Sequence, residues 1–218
     1  KQIDNFNTIM PLLTIKELNK TTKLWVWKIS ETWDELFRSV ALKDVSLARL
    51  ETMKSESHQK GFLSVLQLLM SAGYTDFDLY YDEFGKPHLN DGKHITISHS
   101  HEFSVIVISD EVIGADLELL KEKTLKIAPR FMEIFHLENL SHEEKMRKAT
   151  VIWGIKESVF KIKNEPGISF PLHIFEQEFN LEDKKAVAEL KFNNKTEYFD
   201  VVFDFIEDYV FVCAFEKK

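Results

Sequence analysis

The chain has 218 residues, of which 44% are hydrophobic and 29% charged, with a formal net charge of −8. That size and balance suit a globular protein with a substantial core, in one domain or two small ones. The acidic excess argues against nucleic acid and anionic membranes as partners, and no apolar run of about 18 residues suggests a membrane span.

The 18 phenylalanines are spread along the chain and read as packing, not as a stacking platform for bases. Lys1 to Met10 lacks the apolar block of a secretion signal. The lone Cys213 sits in the apolar run Tyr209–Phe215, so a buried thiol and no internal disulfide are expected. These features together point to the cytoplasm.

Leu24–Ile29 reads as a strand, and Thr32 with Glu35 forms a capping box opening a helix over Trp33–Leu42. A second helix is predicted over Ser55–Ala72, with Phe62, Val65, Leu66, Leu69 and Met70 apolar and Gly73 closing it. Phe77, Leu79 and Tyr81 alternate as a strand, Gly85-Lys86-Pro87 turns the chain, and strands follow at His94–Ser98 and Phe103–Ser109. Further on, Ile113–Leu119 reads as a strand and Thr124–Leu137 as a helix with Ile127, Phe131, Ile134 and Phe135 apolar. Ser141 and Glu144 cap a long helix reaching about Lys163, and strands at Ile174–Phe179, Tyr198–Phe205 and Tyr209–Phe215 end the chain. The pattern is α+β, helices then antiparallel strands, repeated loosely in two halves, 1–110 and 111–218.

Three clusters carry chemistry. In Gly114-Ala-Asp116-Leu-Glu118, residues two apart on a strand share a face, so Asp116 and Glu118 present paired carboxylates while Ala115 and Leu117 face the core. Two hard oxygen ligands side by side suit Mg²⁺; the same alternation also fits an ordinary amphipathic edge strand. In the long helix, Trp153, Glu157 and Lys161 are spaced i, i+4, i+8 on one stripe. Glu157 aimed across at the strand makes a third ligand and Lys161 neutralises phosphate, unless the two are simply a surface pair. The third cluster joins Gly85-Lys86-Pro87-His88 to Ile97-Ser98-His99-Ser100-His101. His94, His99 and His101 invite a zinc reading, but no cysteine is near and the adjacent carboxylate is Glu102 alone. Ser98 and His99 suit an anion better, donating to phosphate oxygens, or alternatively are satisfied by backbone in a turn.

The succession Gly-Lys-Pro, Ser-His-Ser, Gly-x-Asp-x-Glu and Trp-x-x-Lys-Glu-x-x-x-Lys resembles the Sfp-type 4′-phosphopantetheinyl transferases, from about Leu24 to the C-terminus. The resemblance implies two similar α+β halves in pseudo-twofold arrangement, with coenzyme A in the cleft between them. It also implies transfer of the 4′-phosphopantetheine arm of coenzyme A to a serine of an apo acyl or peptidyl carrier protein, by a chain that is expected to be monomeric.

Carried over residue by residue, the resemblance makes Asp116, Glu118 and Glu157 the ligands of Mg²⁺ (or Mn²⁺). Lys161 falls near the reacting phosphate, His99 with Ser98 on coenzyme A phosphates, and Lys86 near the nucleotide's 3′-phosphate. Glu157 is also the expected base and Lys161 the second catalytic group; Lys156 belongs to the motif without a clear role. Lys121, Lys123, Lys126 and Arg130, against Glu122 alone, read either as a basic patch for an acidic carrier, with Phe131 and Met132 as apolar contacts, or as a solvated helix start. One departure stands out. Gly61 and Leu66 occupy the helix where the family carries charge, an arginine above all, with His58 or Lys60 as possible compensation. That gap motivates an alternative: a non-catalytic relative that binds carrier protein or coenzyme A.

Overall fold

A computed structural model describes residues 12–217; the stretch Lys1–Met10, read above as lacking a secretion signal, lies outside them. The elements begin with β1 (Leu12–Asn19), β2 (Thr22–Lys28), α1 (Trp33–Ser39), α2 (Asp44–Thr52) and α3 (Glu56–Ser71). Four strands follow, β3 (Leu79–Tyr81), β4 (Pro87–Leu89), β5 (His94–Ser100) and β6 (Phe103–Ser109). Next come β7 (Ile113–Leu119), α4 (Glu122–Ile127), α5 (His142–Lys163) and α6 (Phe170–His173). The chain closes with β8 (Ile174–Glu176), β9 (Lys185–Phe192), β10 (Lys195–Ile206) and β11 (Tyr209–Glu216). No helix among the described residues is long and apolar enough to cross a membrane.

The architecture is α+β, as expected. One antiparallel sheet runs β1-β2-β6-β5 and a second β7-β11-β10-β9-β8, with β3 and β4 as a separate ribbon. Period-2 alternation sorts the side chains into layers. From β2, Trp25 and Trp27 join Ile106 and Ile108 of β6 against α3, while Leu24 and Val26 turn the other way. There they meet Ile113, Ala115 and Leu117 of β7 and Phe211 and Cys213 of β11, so the two sheets pack face to face. The outer face of the second sheet, with Val210, Val212 and Ala214, carries α5. Helix, sheet, sheet, helix is thus the order through the molecule. Cys213 is fully buried, and burial raises its thiol pKa far above the ordinary value.

Both capping boxes form. The Thr32 and Ser141 side chains accept from the N–H groups of Glu35 and Glu144, whose carboxylates reach back to the cap N–H groups. Gly73 follows α3 at φ +88°, the left-handed position its lack of a Cβ allows.

Four expectations need correction. The first helix ends at Ser39, and the chain then forms α2, whose flat polarity and lack of a side-chain cap gave no sequence signal. The helix expected over Thr124–Leu137 is broken: α4 stops at Ile127, and short 3₁₀ turns occupy Ala128–Arg130 and Ile134–Leu137. Pro129 explains the break, because it lacks an N–H and its ring clashes with the preceding turn. Beyond it, Ile134 and Phe135 point outward at 45% and 56% exposure instead of packing. Strand β8 ends at Glu176, and β1 and β9 were not anticipated.

Candidate functional site

The site is built where the two sheets join. Strand β7 is the edge of its sheet, and β5 covers that edge with side-chain hydroxyls. The Ala115 N–H donates to Thr96 Oγ1 at 3.0 Å and the Leu117 N–H to Ser98 Oγ at 3.2 Å. The other face of β7, bearing Gly114, Asp116 and Glu118, lies under α5. Approach is so close that a Cβ on Gly114 would sit 2.0 Å from the Ser158 carbonyl oxygen. Only glycine permits this contact, which presses the acidic strand against the helix that carries Glu157 and Lys161.

Asp116 is 5% exposed. Its Oδ1 accepts from Ser98 Oγ at 3.0 Å and from Lys161 Nζ at 2.8 Å, while its Oδ2 is buried without a partner among the described residues. Lys161 also donates to the Ala115 carbonyl at 2.9 Å. Glu118 accepts from the indole N–H of Trp153 at 3.1 Å, and Trp153 is packed edge-on against Phe131 and Phe170. Burial, then the charge of Asp116, raises the Glu118 pKa. The same two causes push Glu157 up to about 7, against the opposing pull of Lys161.

The three carboxylates therefore feel one another's charge, as the strand–helix register predicts. Their side chains are not gathered around a single point: among the described residues no group of three His, Cys, Asp or Glu is arranged to hold a metal ion. Asp116 leans to Ser98 and Lys161, and Glu118 to Trp153. The residue types nevertheless fit a hard divalent cation. Crowded carboxylates with raised pKa values and an orphaned Asp116 oxygen are a donor set short of positive charge.

Beside them opens a cavity of about 270 Å³ whose lining includes Arg49, Lys86, His99 and Lys161 and no carboxylate. In a chain of net charge −8 this is a marked local reversal. Lys161 belongs to both parts, one side on Asp116 and the other on the cavity. Lys86 lines it with Nζ donating 2.6 Å to the Ile162 carbonyl at the end of α5, and burial is the main cause lowering its pKa. His99 rests on α3, where a Cβ at position 61 would come 2.9 Å from its Nδ1. Much of its surface reaches solvent, yet desolvation by close neighbours, then repulsion from His58, Lys161 and Arg49, lowers its pKa. A neutral imidazole can still donate one hydrogen bond to an anion.

Lys86, His99 and Lys161 come together as expected; Ser98 does not join them on the cavity wall, because its hydroxyl is committed to Asp116 and the β7 edge. Lys156 points the opposite way, 2% exposed, with Nζ 2.8 Å from Glu176 Oε2 and donating to the Ile174 carbonyl. Leu66 is 2% exposed in the core under α3, so an arginine there would enter apolar packing and not the cavity. Gly61 makes room for His99. Arg49 on α2 was not anticipated; nothing in its surrounding sequence distinguishes it from a surface residue. Lys121, Lys123, Lys126 and Arg130 are exposed as expected, whereas Phe131 and Met132 are 3% and 7% exposed and cannot be surface contacts.

Residues 112–214 match the family model of the 4'-phosphopantetheinyl transferase superfamily. Three curated relatives carry the same description. The chain is 33% identical over 97 residues to the 4'-phosphopantetheinyl transferase gsp of Aneurinibacillus migulanus, covering 43% of this chain and 40% of that protein. It is 30% identical over 117 residues to 4'-phosphopantetheinyl transferase Sfp of Bacillus subtilis (strain 168), covering 51% and 52%. It is 28% identical over 170 residues to 4'-phosphopantetheinyl transferase ffp of Bacillus subtilis, covering 73% and 75%. The chain spans about half the length, or less, of the first two. The resemblance to the Sfp-type transferases read from the motifs is borne out.

Proposed function

We propose that this relative of the Sfp-type 4′-phosphopantetheinyl transferases moves the phosphopantetheine arm of coenzyme A to a serine of an acyl or peptidyl carrier protein. The observation that carries the reading is Lys161, which links a cavity lined by cations and no acids to the buried carboxylates of β7. Phosphates of the nucleotide suit the cavity; the bond to be broken then falls near Lys161 and Asp116.

In the reaction the serine oxygen forms a bond to the β-phosphorus of coenzyme A. The bond from that phosphorus to the bridging oxygen breaks, and 3′,5′-adenosine bisphosphate leaves with the electron pair. The serine proton goes to Glu157, whose carboxylate is the candidate base. Lys161 stabilises charge that builds on the leaving phosphate, and its hold on Asp116 keeps its ammonium aimed there. Asp116, Glu118 and Glu157 would hold Mg²⁺ or Mn²⁺, which when bound neutralises the pyrophosphate. Positioning and electrostatics supply most of the acceleration, as in other phosphoryl transfers.

On this reading the halves 1–110 and 111–218 each contribute one wall of the site, and a single chain suffices. The lone buried thiol and the coenzyme A substrate fit a cytoplasmic protein. The exposed lysines after β7 would receive the carrier. The test is mass spectrometry of an apo-carrier incubated with coenzyme A and Mg²⁺, where the carrier should gain one phosphopantetheine. Chelator, or Asp116→Ala, should remove that gain without unfolding the protein; an unmodified carrier with the intact enzyme would defeat the proposal.

A further inference from the structure

The two sheets are not closed alike along their shared face. At β5 and β7, side-chain hydroxyls tie one sheet to the other. On the side of β1 and β10, long charged side chains span them instead. Lys16 Nζ lies 2.7 Å from Asp204 Oδ2, and Lys28 Nζ 2.7 Å from Glu207 Oε1. These bridges border a cavity of about 430 Å³. Its walls are Leu18, Leu24, Val26 and Phe103 from the first sheet, with Val202 and Phe211 from the second. It shares no lining residue with the cavity beside Lys161, so the transfer reaction gives it no purpose.

Packed layers ordinarily interdigitate and leave few voids larger than a water molecule. A gap of this size falls instead within the ~300–1,000 Å³ of small-molecule sites. A methylene needs about the ~30 Å³ share of one water, so an unbranched chain on the order of ten carbons fits. The mouth supplies the polar end. Glu17 and Glu207 line it and each has a lysine of its own, Lys23 at 3.4 Å and Lys28. Asp204 has two, since Lys184 Nζ lies 2.7 Å from its Oδ1 while Lys16 holds Oδ2. Four ammoniums (Lys16, Lys23, Lys28, Lys184) against three carboxylates (Glu17, Asp204, Glu207) leave one positive charge over. Lys16 and Lys184 are 53% and 56% exposed, so either can turn from Asp204 to an incoming anion.

We propose that this cavity binds a single-chain carboxylate, its alkyl tail between the sheets and its head on Lys16 and Lys184. The ligand class is a medium-chain fatty acid. The site is separate from the proposed transfer reaction and does not depend on it.

Calorimetric titration of the full chain with hexanoate, octanoate and 1-octanol at low salt tests the proposal. Octanoate should bind about 15-fold more tightly than hexanoate, because each of two further buried methylenes contributes about 4-fold. Octanoate should also exceed 1-octanol by about 2-fold to 5-fold, the scale of an exposed ion pair. Lys16→Met with Lys184→Met should erase that preference and leave 1-octanol binding unchanged. Val202→Trp should fill the cavity and abolish binding of both, with the melting temperature checking that the variant folds. Leu18→Trp, on the edge strand, does the same if Val202→Trp does not fold. No saturable binding to wild type, or unchanged binding in the filled variants, overturns the proposal. Equal affinity for octanoate and 1-octanol overturns the carboxylate assignment. A wild-type dimer that Leu18→Trp splits in sedimentation would make the cavity an interface between copies and overturn it as well.

Discussion

Lys156 and Lys161 share one helix and one motif, and their surroundings are opposite. Lys156 is enclosed, its side chain 2% exposed, against Glu176 at 3%, with the His136 ring 3.5 Å from the same carboxylate. Lys161 keeps 29% of its side chain exposed and divides itself between Asp116 and the cavity. A charge shut away with its partner is used up in holding structure; a charge with one open side can respond to a substrate. Motif membership does not separate the two roles, but burial does.

The largest effect should come from breaking the closed pair. Lys156→Ala leaves Glu176 buried and unpaired, and the expected loss is about 3–5 kcal/mol of stability in chemical denaturation. The double change Lys156→Met with Glu176→Leu should recover most of it, because two apolar residues of similar volume need no compensation. A stable Lys156→Ala with a collapsed turnover would mean that the comparison is drawn the wrong way round.

Lys161→Ala is the counterpart. The side chain is partly open, so stability should change little, while turnover should fall by about 10²–10³-fold, the scale for removing one group that stabilises developing charge. The loss should fall on kcat more than on the Michaelis constant for coenzyme A. A change confined to the Michaelis constant would make Lys161 a ground-state phosphate holder.

Most of this contrast was legible in the sequence only in part. The α5 helix announced itself through the Ser141–Glu144 capping box, and the paired carboxylates of β7 through period-2 alternation, both being local signals. Strand β9 was missed because Lys185-Ala-Val-Ala-Glu-Leu-Lys reads equally well as helix; its identity comes from pairing with β10 and β8. The continuous helix expected after β7 fails because Pro129 interrupts it despite apolar spacing that continues through the segment. In the site, spacing put Glu157 and Lys161 on one stripe correctly. It could not tell that Ser98 would turn to Asp116, that Leu66 would be core, or that Arg49 from an unsignalled helix would reach the cavity. Those are contacts between segments distant along the chain, and no local pattern encodes them.

A smaller effect, on pH dependence, sharpens the electrostatic side of the comparison. Burial and Asp116 raise the Glu157 carboxyl from its ordinary 4.5 to about 7. Between those values the folded protein holds a proton that the unfolded chain has released. Stability without added metal should therefore fall as pH rises from about 4.5 to about 7 and then level off. Glu157→Gln should flatten that slope. A divalent cation needs the ionised form, so Mn²⁺ should raise the melting temperature more at about pH 8 than at about pH 5.5. A Mn²⁺ effect independent of pH would remove Glu157 from the ligand set.

The smallest effect concerns the rim after β7, where charge is fully exposed and its influence is mainly on encounter. Lys121, Lys123, Lys126 and Arg130 all face solvent, and the nearby Glu122 is engaged with His142 at 2.6 Å. On the proposed function, a net-acidic chain and an acidic carrier would repel at long range, so association would depend on this local excess of positive charge. The apolar contact cannot come from Phe131 and Met132, which are buried beneath the rim. Ile134 and Phe135, which follow the break at Pro129, are the exposed apolar residues of this segment. Lys123→Glu with Lys126→Glu should therefore lower kcat/KM for the carrier by several-fold to about 10-fold at low salt, mostly through the association rate. Salt should shrink the difference from wild type as screening shortens the reach of both charge patterns. Coenzyme A affinity should not move. Phe135→Ala should act instead on dissociation and keep its effect at high salt, since apolar contact is not screened. If the charge reversals leave the carrier kinetics at low salt unchanged, the carrier approaches from elsewhere, and the open side of Lys161 has to be reached by another path.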